Sequence, residues 1–175
     1  MHLSKKRQGV FPDKKGYKVR LTDFINKDAV CIDLKSNDKT AVLYELVDIL
    51  LKSGGIKNGN SNRKKLFNIL CEREKLGSTG IASGAAIPHG KSDLVKSITI
   101  TIGISPNGVD FDSIDGQKTC IFALLIAPPS SAAPHLRALA RIARLLKNKT
   151  FRHVLINAKS PEDVIRLIAT EEKTL

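Results

Sequence analysis

Several features that would define common protein classes are missing from this sequence of 175 residues. It has no uninterrupted run of about 18 apolar residues, which excludes a membrane-spanning helix. The first twenty residues are basic and lack the apolar segment of a secretory signal, which favours a cytoplasmic protein. The three cysteines form no CxxC pair, so neither a zinc knuckle nor a redox dithiol is predicted. Buried, inert thiols are expected instead at Cys31, Cys71 and Cys120.

Acidic residues are also scarce. The chain has 29 Lys and Arg against 17 Asp and Glu, a net charge of +12. Half of this excess lies in residues 1–20, which we expect to be a solvated tail in front of one domain over residues 21–175. A basic arm can bind nucleic acid, but the sequence contains no nucleic-acid-reading motif. The composition, 42% hydrophobic and 26% charged, is otherwise that of one globular domain.

Strand and helix patterns alternate along the chain, which predicts a single α/β domain with a mixed β-sheet flanked by helices. Residues 120–128 are apolar throughout, as in a strand covered on both faces. Further strands are predicted over residues 28–34 and 97–105. Helices are predicted after Asp38, over residues 61–74, after Ser130 or Ser131, within residues 151–158 and after Ser160. On the helix after Ser130 or Ser131, one apolar stripe is expected to pack inward: Leu136, Leu139, Ile142, Ala143 and Leu146.

Two of the four histidines, His89 and His135, lie in sequence surroundings that suit a catalytic or phosphate-binding role. His89 precedes Gly90 at the end of an uncharged stretch, residues 76–90. A neutral imidazole held there would be a nucleophile at physiological pH. His135 begins a predicted amphipathic helix, where unpaired N–H groups favour a bound phosphate and lower the pKa of an imidazole. Each also has a purely structural interpretation, His89 in a tight turn and His135 packed at a helix start.

The remaining candidates carry less information by themselves. His153 lies in a short predicted helix and is expected at the surface, and His2 belongs to the tail. Arg73 stands between Glu72 and Glu74, so the simplest expectation is a solvated arginine that pairs with them.

The segment over residues 73–91, REKLGSTGIASGAAIPHGK, closely resembles the phosphohistidine loop of enzyme IIA domains of the phosphoenolpyruvate:sugar phosphotransferase system. The type is the fructose/mannitol one, which includes the nitrogen-regulatory IIA proteins. Residues 108–148 match it as well, with an aspartate-rich turn, an apolar strand, a second histidine and a helix. The resemblance runs from about Leu21 to Glu171 and implies the mannitol-type enzyme IIA fold.

The resemblance implies a role for each matching residue. His89 corresponds to the residue that is phosphorylated on Nε2 by the phosphocarrier HPr or a paralogue. His135 corresponds to the second histidine, which supports the phosphorylated state without carrying the group, and Arg73 to the arginine near the phosphate. Three further residues are expected to contact the phosphoryl oxygens: Ser78, Thr79 and Gly90.

This chemistry suits a site without a metal or cofactor. Phosphoryl transfer between histidines depends on in-line positioning and on stabilising the charge of the equatorial oxygens. The sequence has no Walker loop, magnesium-binding acid pair or nucleotide fingerprint, so the expected donor is a phosphoprotein rather than ATP.

The amino-acid sequence of the loop most resembles that of the nitrogen-regulatory branch. In that branch, regulatory target proteins respond to the phosphorylation state. In 175 residues we expect neither of the IIB and membrane IIC segments that are often fused to sugar-transport IIA domains. The alternative is a discrete sugar-specific IIA that passes its phosphate to a IIB partner. A basic nucleic-acid-binding module without phosphotransfer is the minor alternative.

The charge balance departs from what the resemblance implies. HPr-type carriers commonly dock through a partly basic surface onto acids of the IIA protein, and few acids are available here. A mostly apolar docking patch, or a carrier with a different charge pattern, would fit this sequence. The acidic candidates near the site are Glu72, Glu74, Asp93, Asp110, Asp112 and Asp115.

Overall fold

A computed structural model describes residues 20–56 and 59–175, so the predicted tail lies outside it except for Arg20. The elements in chain order are a 3₁₀ helix Leu21–Phe24, β1 Ile25–Cys31, α1 Lys39–Lys52, α2 Asn60–Lys75, β2 Gly80–Ile81, β3 Ala85–Ala86, β4 His89–Lys91, β5 Thr99–Val109, β6 Thr119–Ala127, α3 Ala132–Lys147, α4 Lys149–Ile156, α5 Pro161–Glu171 and a 3₁₀ helix Glu172–Thr174. Among these helices, none has the length and apolar character needed to cross a membrane.

The strands form one mixed sheet, which confirms the predicted architecture. Their order is β1-β5-β6-β3-β2. Strand β4 also pairs with β6, further along that strand than β3 does. Strands β5 and β6 are antiparallel, whereas β1 runs parallel to β5 and both β3 and β4 run parallel to β6. The short strands β2 to β4 therefore cover one side of β6, and β1 lies at the opposite edge of the sheet.

Strand β6 is the centre of the core. Its odd-numbered residues 121–127 pack into a cluster with helices α3 to α5, and its even-numbered residues 122–126 pack into a second cluster with α1 and α2. Side chains of a strand alternate between its two faces, so one apolar strand supplies both clusters. This confirms the strand predicted over residues 120–128 as one covered on both faces.

Two predicted strands have different bounds in the structure. The strand predicted over residues 28–34 begins earlier, at Ile25, and ends at Cys31. Leu34 lies after a bend but is buried, and its N–H donates to the Ile104 carbonyl oxygen at 2.8 Å. The apolar pattern therefore continues past the end of the strand. Strand β5, predicted over residues 97–105, extends to Val109.

The helices agree with their sequence signals. The Asp38 carboxylate accepts a hydrogen bond from the N–H of Ala41 and caps α1, and Ser160 caps α5 in the same way through Asp163. Helix α2 covers the predicted residues 61–74 with one extra residue at each end. Helix α4 is the predicted short helix, and His153 on it is exposed as expected.

The cysteine prediction was partly wrong. None of the three thiols forms a disulfide, but each is only partly buried: Cys31, Cys71 and Cys120. Cys31 ends β1, Cys120 is the second residue of β6, and Cys71 lies in the second half of α2. Burial still raises the pKa of the Cys71 and Cys120 thiols, which disfavours the reactive thiolate.

Candidate active site

Three predicted site residues meet at the sheet edge formed by β2 to β4. His89 is the first residue of β4 and pairs in register with Leu125 of β6. Arg73 reaches it from the last turn of α2, and His135 from the first turns of α3. The two imidazole rings lie with their centroids 5.6 Å apart and their planes at 89°. Residues up to 62 positions apart in the sequence thus form one cluster.

The hydrogen bonds of His89 fix its tautomer. Nδ1 lies 2.7 Å from the carbonyl oxygen of Ile87. A carbonyl oxygen only accepts, so Nδ1 carries the proton and Nε2 carries the lone pair. Nε2 accepts a hydrogen bond from Nε of Arg73 at 3.0 Å, and Nη1 of Arg73 donates to the Gly77 carbonyl oxygen. Nε2 is therefore the nucleophilic atom of this ring.

Both histidines are held toward the neutral form. Burial lowers the pKa of His89, and the charge of Arg73 lowers it further, against the opposing effect of the hydrogen bond to Ile87. Burial also lowers the pKa of His135, assisted by the positive charges of a protonated His89 and of Lys91. His135 is only 6% exposed, and among the described residues its Nδ1 has no hydrogen-bond partner. The site therefore combines a neutral nucleophile with unused hydrogen-bonding capacity.

The expectation that Arg73 pairs with its neighbouring glutamates was wrong. Glu72 forms an ion pair with Lys75 at 2.6 Å, and Glu74 bonds Thr79 and Lys39. Adjacent residues on a helix do not share a face, so Arg73 cannot meet either glutamate while it faces His89.

Glu74 anchors the loop that follows α2, a role that the sequence analysis missed. Its carboxylate accepts hydrogen bonds from the N–H of Thr79 at 2.9 Å and from the Thr79 hydroxyl at 2.6 Å, and it pairs with Lys39 of α1 at 2.9 Å. Burial alone would raise the pKa of this carboxyl, but the bonds from Thr79 and Lys39 hold it below its usual range. Nothing in the helical periodicity indicates this contact, because it joins two helices and a loop.

The two hydroxyls predicted to contact phosphate are engaged within the protein. Ser78 donates to the carbonyl oxygen of Phe111 at 2.8 Å and accepts from the N–H of Gly80, while Thr79 donates to Glu74. Each hydroxyl has a single proton to donate, so these bonds hold the loop. Contact of Ser78 and Thr79 with a phosphoryl group stays a prediction.

Gly90 determines how closely α2 approaches the sheet. A Cβ atom at this position would lie 2.5 Å from Cγ2 of Ile69, well inside contact distance. Ile69 stands one helical turn before Arg73, so the missing side chain lets α2 bring Arg73 to His89. The close approach of α2 explains why a glycine is needed at position 90. Contact of Gly90 with phosphate stays a prediction.

The site opens into a shallow apolar depression of about 320 Å³. Arg73 and His89 line it from the sheet edge, and Leu139, Ala140 and Ala143 line it from α3. Leu136 was predicted to pack inward with Leu139 but is 68% exposed beside the depression. In residues 20–56 and 59–175, no group of three or more His, Cys, Asp or Glu side chains is arranged to hold a metal ion.

Known proteins share both sequence and fold with this chain. Residues 23–171 match the family described as "Phosphoenolpyruvate-dependent sugar phosphotransferase system, EIIA 2". A nitrogen regulatory protein of Bradyrhizobium diazoefficiens is 34% identical over 154 residues, which is 88% of this chain and 97% of that protein. The fructose-specific EIIABC component of Bacillus subtilis is 32% identical over 155 residues, but they make up 89% of this chain and only 24% of that protein.

A solved structure extends the comparison to the fold. The crystal structure of the nitrogen regulatory protein IIA-Ntr from Neisseria meningitidis matches with a TM-score of 0.77 and 27% identity, over 85% of this chain and 98% of that one. With its sheet, its loop and the family match over residues 23–171, the chain belongs to the type 2 EIIA family of the phosphotransferase system.

Proposed function

We propose that this protein accepts a phosphoryl group on Nε2 of His89 from an HPr-type phosphocarrier and acts in the cytoplasm as a nitrogen-regulatory-type regulator. One observation carries the proposal: the Nδ1–H of His89 is bonded to Ile87, which leaves the Nε2 lone pair facing the Arg73 guanidinium. A nucleophile and a cationic donor for phosphoryl oxygens are thus already adjacent.

The transfer step follows from this arrangement. The Nε2 lone pair attacks phosphorus, the N–P bond on the carrier breaks, and its electron pair returns to the carrier's imidazole. Nδ1 of His89 keeps its proton throughout, and the Ile87 carbonyl oxygen stabilises the positive charge that develops on the ring. Arg73 has to release Nε2 as phosphorus approaches, and its planar guanidinium then donates to the oxygens. His135, whose Nδ1 has no hydrogen-bond partner within residues 20–56 and 59–175, is proposed to support the phosphorylated state.

The relatives support the regulatory branch more than a sugar-specific role. The match covers 97% of the Bradyrhizobium nitrogen regulatory protein, but only 24% of the Bacillus fructose-specific EIIABC component. A discrete sugar-specific IIA remains the second candidate, because a fructose-specific EIIA component of Haloferax volcanii is 28% identical over 75% of this chain and 82% of that protein. Under that candidate, His89 passes its phosphoryl group to a IIB partner.

Intact-protein mass tests the proposal. After incubation with phosphoenolpyruvate, enzyme I and the HPr-type carrier of the same organism, we expect one added phosphoryl group that is labile in acid and stable in base. The His89→Ala variant should gain nothing. His135→Ala should be phosphorylated more slowly or lose the group faster. No gain of mass by the wild type would refute the proposal.

A second assay separates the two branches. The phosphorylated protein is mixed with each purified IIB domain of the same organism. Retention of the phosphoryl group is expected for a regulator, and rapid discharge to one IIB would assign the sugar-specific role.

A further inference from the structure

The side chain of Lys39 joins three separate parts of the domain. Lys39 is the first residue of α1, and its Nζ pairs with Oε1 of Glu74 in α2 and with Oδ2 of Asp112, each at 2.9 Å. The same Nζ lies 4.9 Å from the centroid of the Phe111 ring, within the range of a cation–π contact. One ammonium group thus ties α1 to the end of α2 and to the segment between β5 and β6.

Tertiary contacts, rather than the helix that carries it, stabilise the charge of Lys39. A cation in the first turn of an α-helix lies at the positive end of the helix dipole, which is unfavourable by itself. The first turn of α1 contains no acid, and the carboxylate of its cap, Asp38, accepts from the N–H of Ala41. Burial works against the charge of Lys39, but its hydrogen bonds to Asp112 and Glu74 raise its pKa.

A chain of hydrogen bonds runs from Lys39 to the imidazole of His89. Glu74, which pairs with Lys39, accepts the N–H and the hydroxyl of Thr79 at 2.9 and 2.6 Å. The carbonyl oxygen of Thr79 accepts the N–H of Ile87 at 3.0 Å, and the carbonyl oxygen of Ile87 accepts from Nδ1 of His89 at 2.7 Å. Each member of the chain therefore sets the position of the next.

The middle of this chain is shielded from water. Thr79 and Ile87 are buried, and the side chain of Glu74 is 7% exposed. When one partner of a buried hydrogen bond is removed, the other is left unsatisfied, so the loss of one member disturbs its neighbours.

Lys39 also contacts a second anchor of the same loop. The Phe111 ring that its Nζ lies over is fully buried, and the Phe111 carbonyl oxygen accepts the hydroxyl of Ser78 at 2.8 Å. Ser78 directly precedes Thr79. The residues that hold Ser78 and Thr79 in place are therefore both in contact with Lys39.

We propose that Lys39 is a positioning residue for the transfer of a phosphoryl group to His89. The inference rests on the proposed phosphotransfer function and gives Lys39 a part in it without contact to the phosphoryl group. By holding Glu74, Lys39 keeps the Ile87 carbonyl oxygen where it accepts Nδ1–H, so the lone pair stays on Nε2. Without this charge, the His89 ring is expected to exchange tautomer and orientation, and the other tautomer has no lone pair at Nε2 to attack phosphorus.

Substitution of Lys39 by methionine tests the proposal, because it removes the charge and keeps an unbranched side chain. Transfer from the phosphorylated carrier of the same organism is followed by quenched-flow mass measurement at several carrier concentrations. In K39M the maximal rate constant should fall about tenfold, since a small displacement of the reacting group is costly. The carrier concentration that gives half the maximal rate should stay within about twofold of the wild type.

The matched control removes a lysine whose ion pair does not reach the loop. Lys35 lies four residues before Lys39 and pairs with Asp33 through exposed side chains. K35M should keep the rate within about twofold of the wild type, because an exposed ion pair contributes little. In the E74Q background, K39M should lower the rate by a smaller factor than in the wild type, since residues in one hydrogen-bonded chain do not act additively.

Ring-nitrogen spectra measure the positioning directly. In the unphosphorylated wild type at about pH 8, above the ordinary pKa of histidine, Nδ1 of His89 should carry the proton and Nε2 should not. In K39M both nitrogens should show intermediate shifts, which a loss of stability alone does not produce. Circular dichroism and urea unfolding check that K39M is folded. If it is not, K39Q, whose amide can still donate to Glu74, takes its place with the same expected direction.

The outcomes separate this inference from the function on which it rests. If the wild type is phosphorylated and K39M matches K35M in rate and tautomer, the inference is refuted and the phosphotransfer function stands. If K39M is less stable but keeps the wild-type rate and a single tautomer, Lys39 has a structural role only, and the inference is likewise overturned. If the wild type accepts no phosphoryl group, the function itself fails and the inference fails with it.

Discussion

At the scale of single residues, the protonation of one imidazole decides what this site can do. A protonated Nε2 has no lone pair to attack phosphorus, so His89 must be neutral when the carrier arrives. Burial and the neighbouring guanidinium both favour that state by lowering the pKa of His89. The charge of Arg73, which would later hold phosphoryl oxygens, thus also keeps the nucleophile available.

We predict that both His89 and His135 titrate below 6.5, the ordinary value for histidine. Acceptance of the phosphoryl group should then stay constant as pH falls to about 6.5 and decline only below it. A ¹H–¹⁵N NMR titration of the ring nitrogens measures both values directly. A pKa at or above the ordinary value for His89 would contradict this account.

The same lowering affects stability in a defined direction. In the unfolded chain these histidines bind protons more readily than in the folded protein, so the free energy of unfolding should decrease as pH falls from about 6.5 toward the folded-state pKa values. Urea unfolding at pH 7.5 and 5.5 measures the decrease, which should be smaller in the H89Q variant.

The sequence could suggest which residues belong to the candidate site but not how they are bonded. The roles expected for His89, Arg73 and His135 follow from the family resemblance and stay predictions. The engagement of Ser78 by Phe111, and of Thr79 by Glu74, depends on contacts between separate elements that no local pattern encodes. The exposure of Leu136 was missed for a related reason, since a periodic stripe marks a helix face without showing where the neighbouring element ends.

At the scale of elements, the end of α2 connects the loop to the rest of the domain. Glu74 is buried and holds both Thr79 and Lys39, whereas Glu72, two residues before it, forms an exposed pair with Lys75. The two glutamates therefore offer a comparison of similar chemistry in different surroundings.

We predict that E74Q lowers the free energy of unfolding by about 2 kcal/mol, because a buried charge-assisted network loses its anion. The matched variant E72Q should cost less than about 1 kcal/mol, as exposed ion pairs do. Urea denaturation of both variants provides the measurement. Equal losses in the two would show that Glu74 does not anchor the loop.

Element types were more predictable than element boundaries. The continuous apolar run of β6 and the caps at Asp38 and Ser160 are local signals, and the structure confirms them. Strand β1 begins three residues earlier than predicted, because its pairing with β5 determines where it starts. The first pair joins Ile25 of β1 to Ile100 of β5. The short strands β2 to β4 carry two or three residues each, too few for a period to show.

At the scale of the whole molecule, the two ends of the described chain close on each other. Glu172 is 2% exposed, and its carboxylate accepts the N–H of Leu21 at 2.6 Å and pairs with Arg141 of α3 at 3.4 Å. Leu21 and Phe24 are themselves buried in the cluster that contains α3 to α5. We therefore expect the folded domain to need the chain from about residue 20 onward, and the boundary at residue 21 stays a prediction.

We predict that a variant lacking residues 1–19 keeps the Tm of the full chain, whereas one lacking residues 1–24 loses about 10 °C or more. The longer deletion removes two buried apolar side chains and leaves Glu172 without its backbone donor, a cost of at least about 3 kcal/mol. Differential scanning calorimetry compares the three proteins. Equal Tm values for the two deletions would place the start of the domain after Phe24.

The central claim is that Nε2 of His89 carries the phosphoryl group, and one spectrum tests it most directly. The ¹⁵N-labelled protein is phosphorylated through its carrier, and long-range ¹H–¹⁵N correlations of the histidine rings are recorded before and after. The account predicts that one ring changes, that it belongs to His89, and that phosphorus is bonded to Nε2 while Nδ1 keeps its proton. A phosphoryl group on Nδ1, or on any other residue, would contradict it.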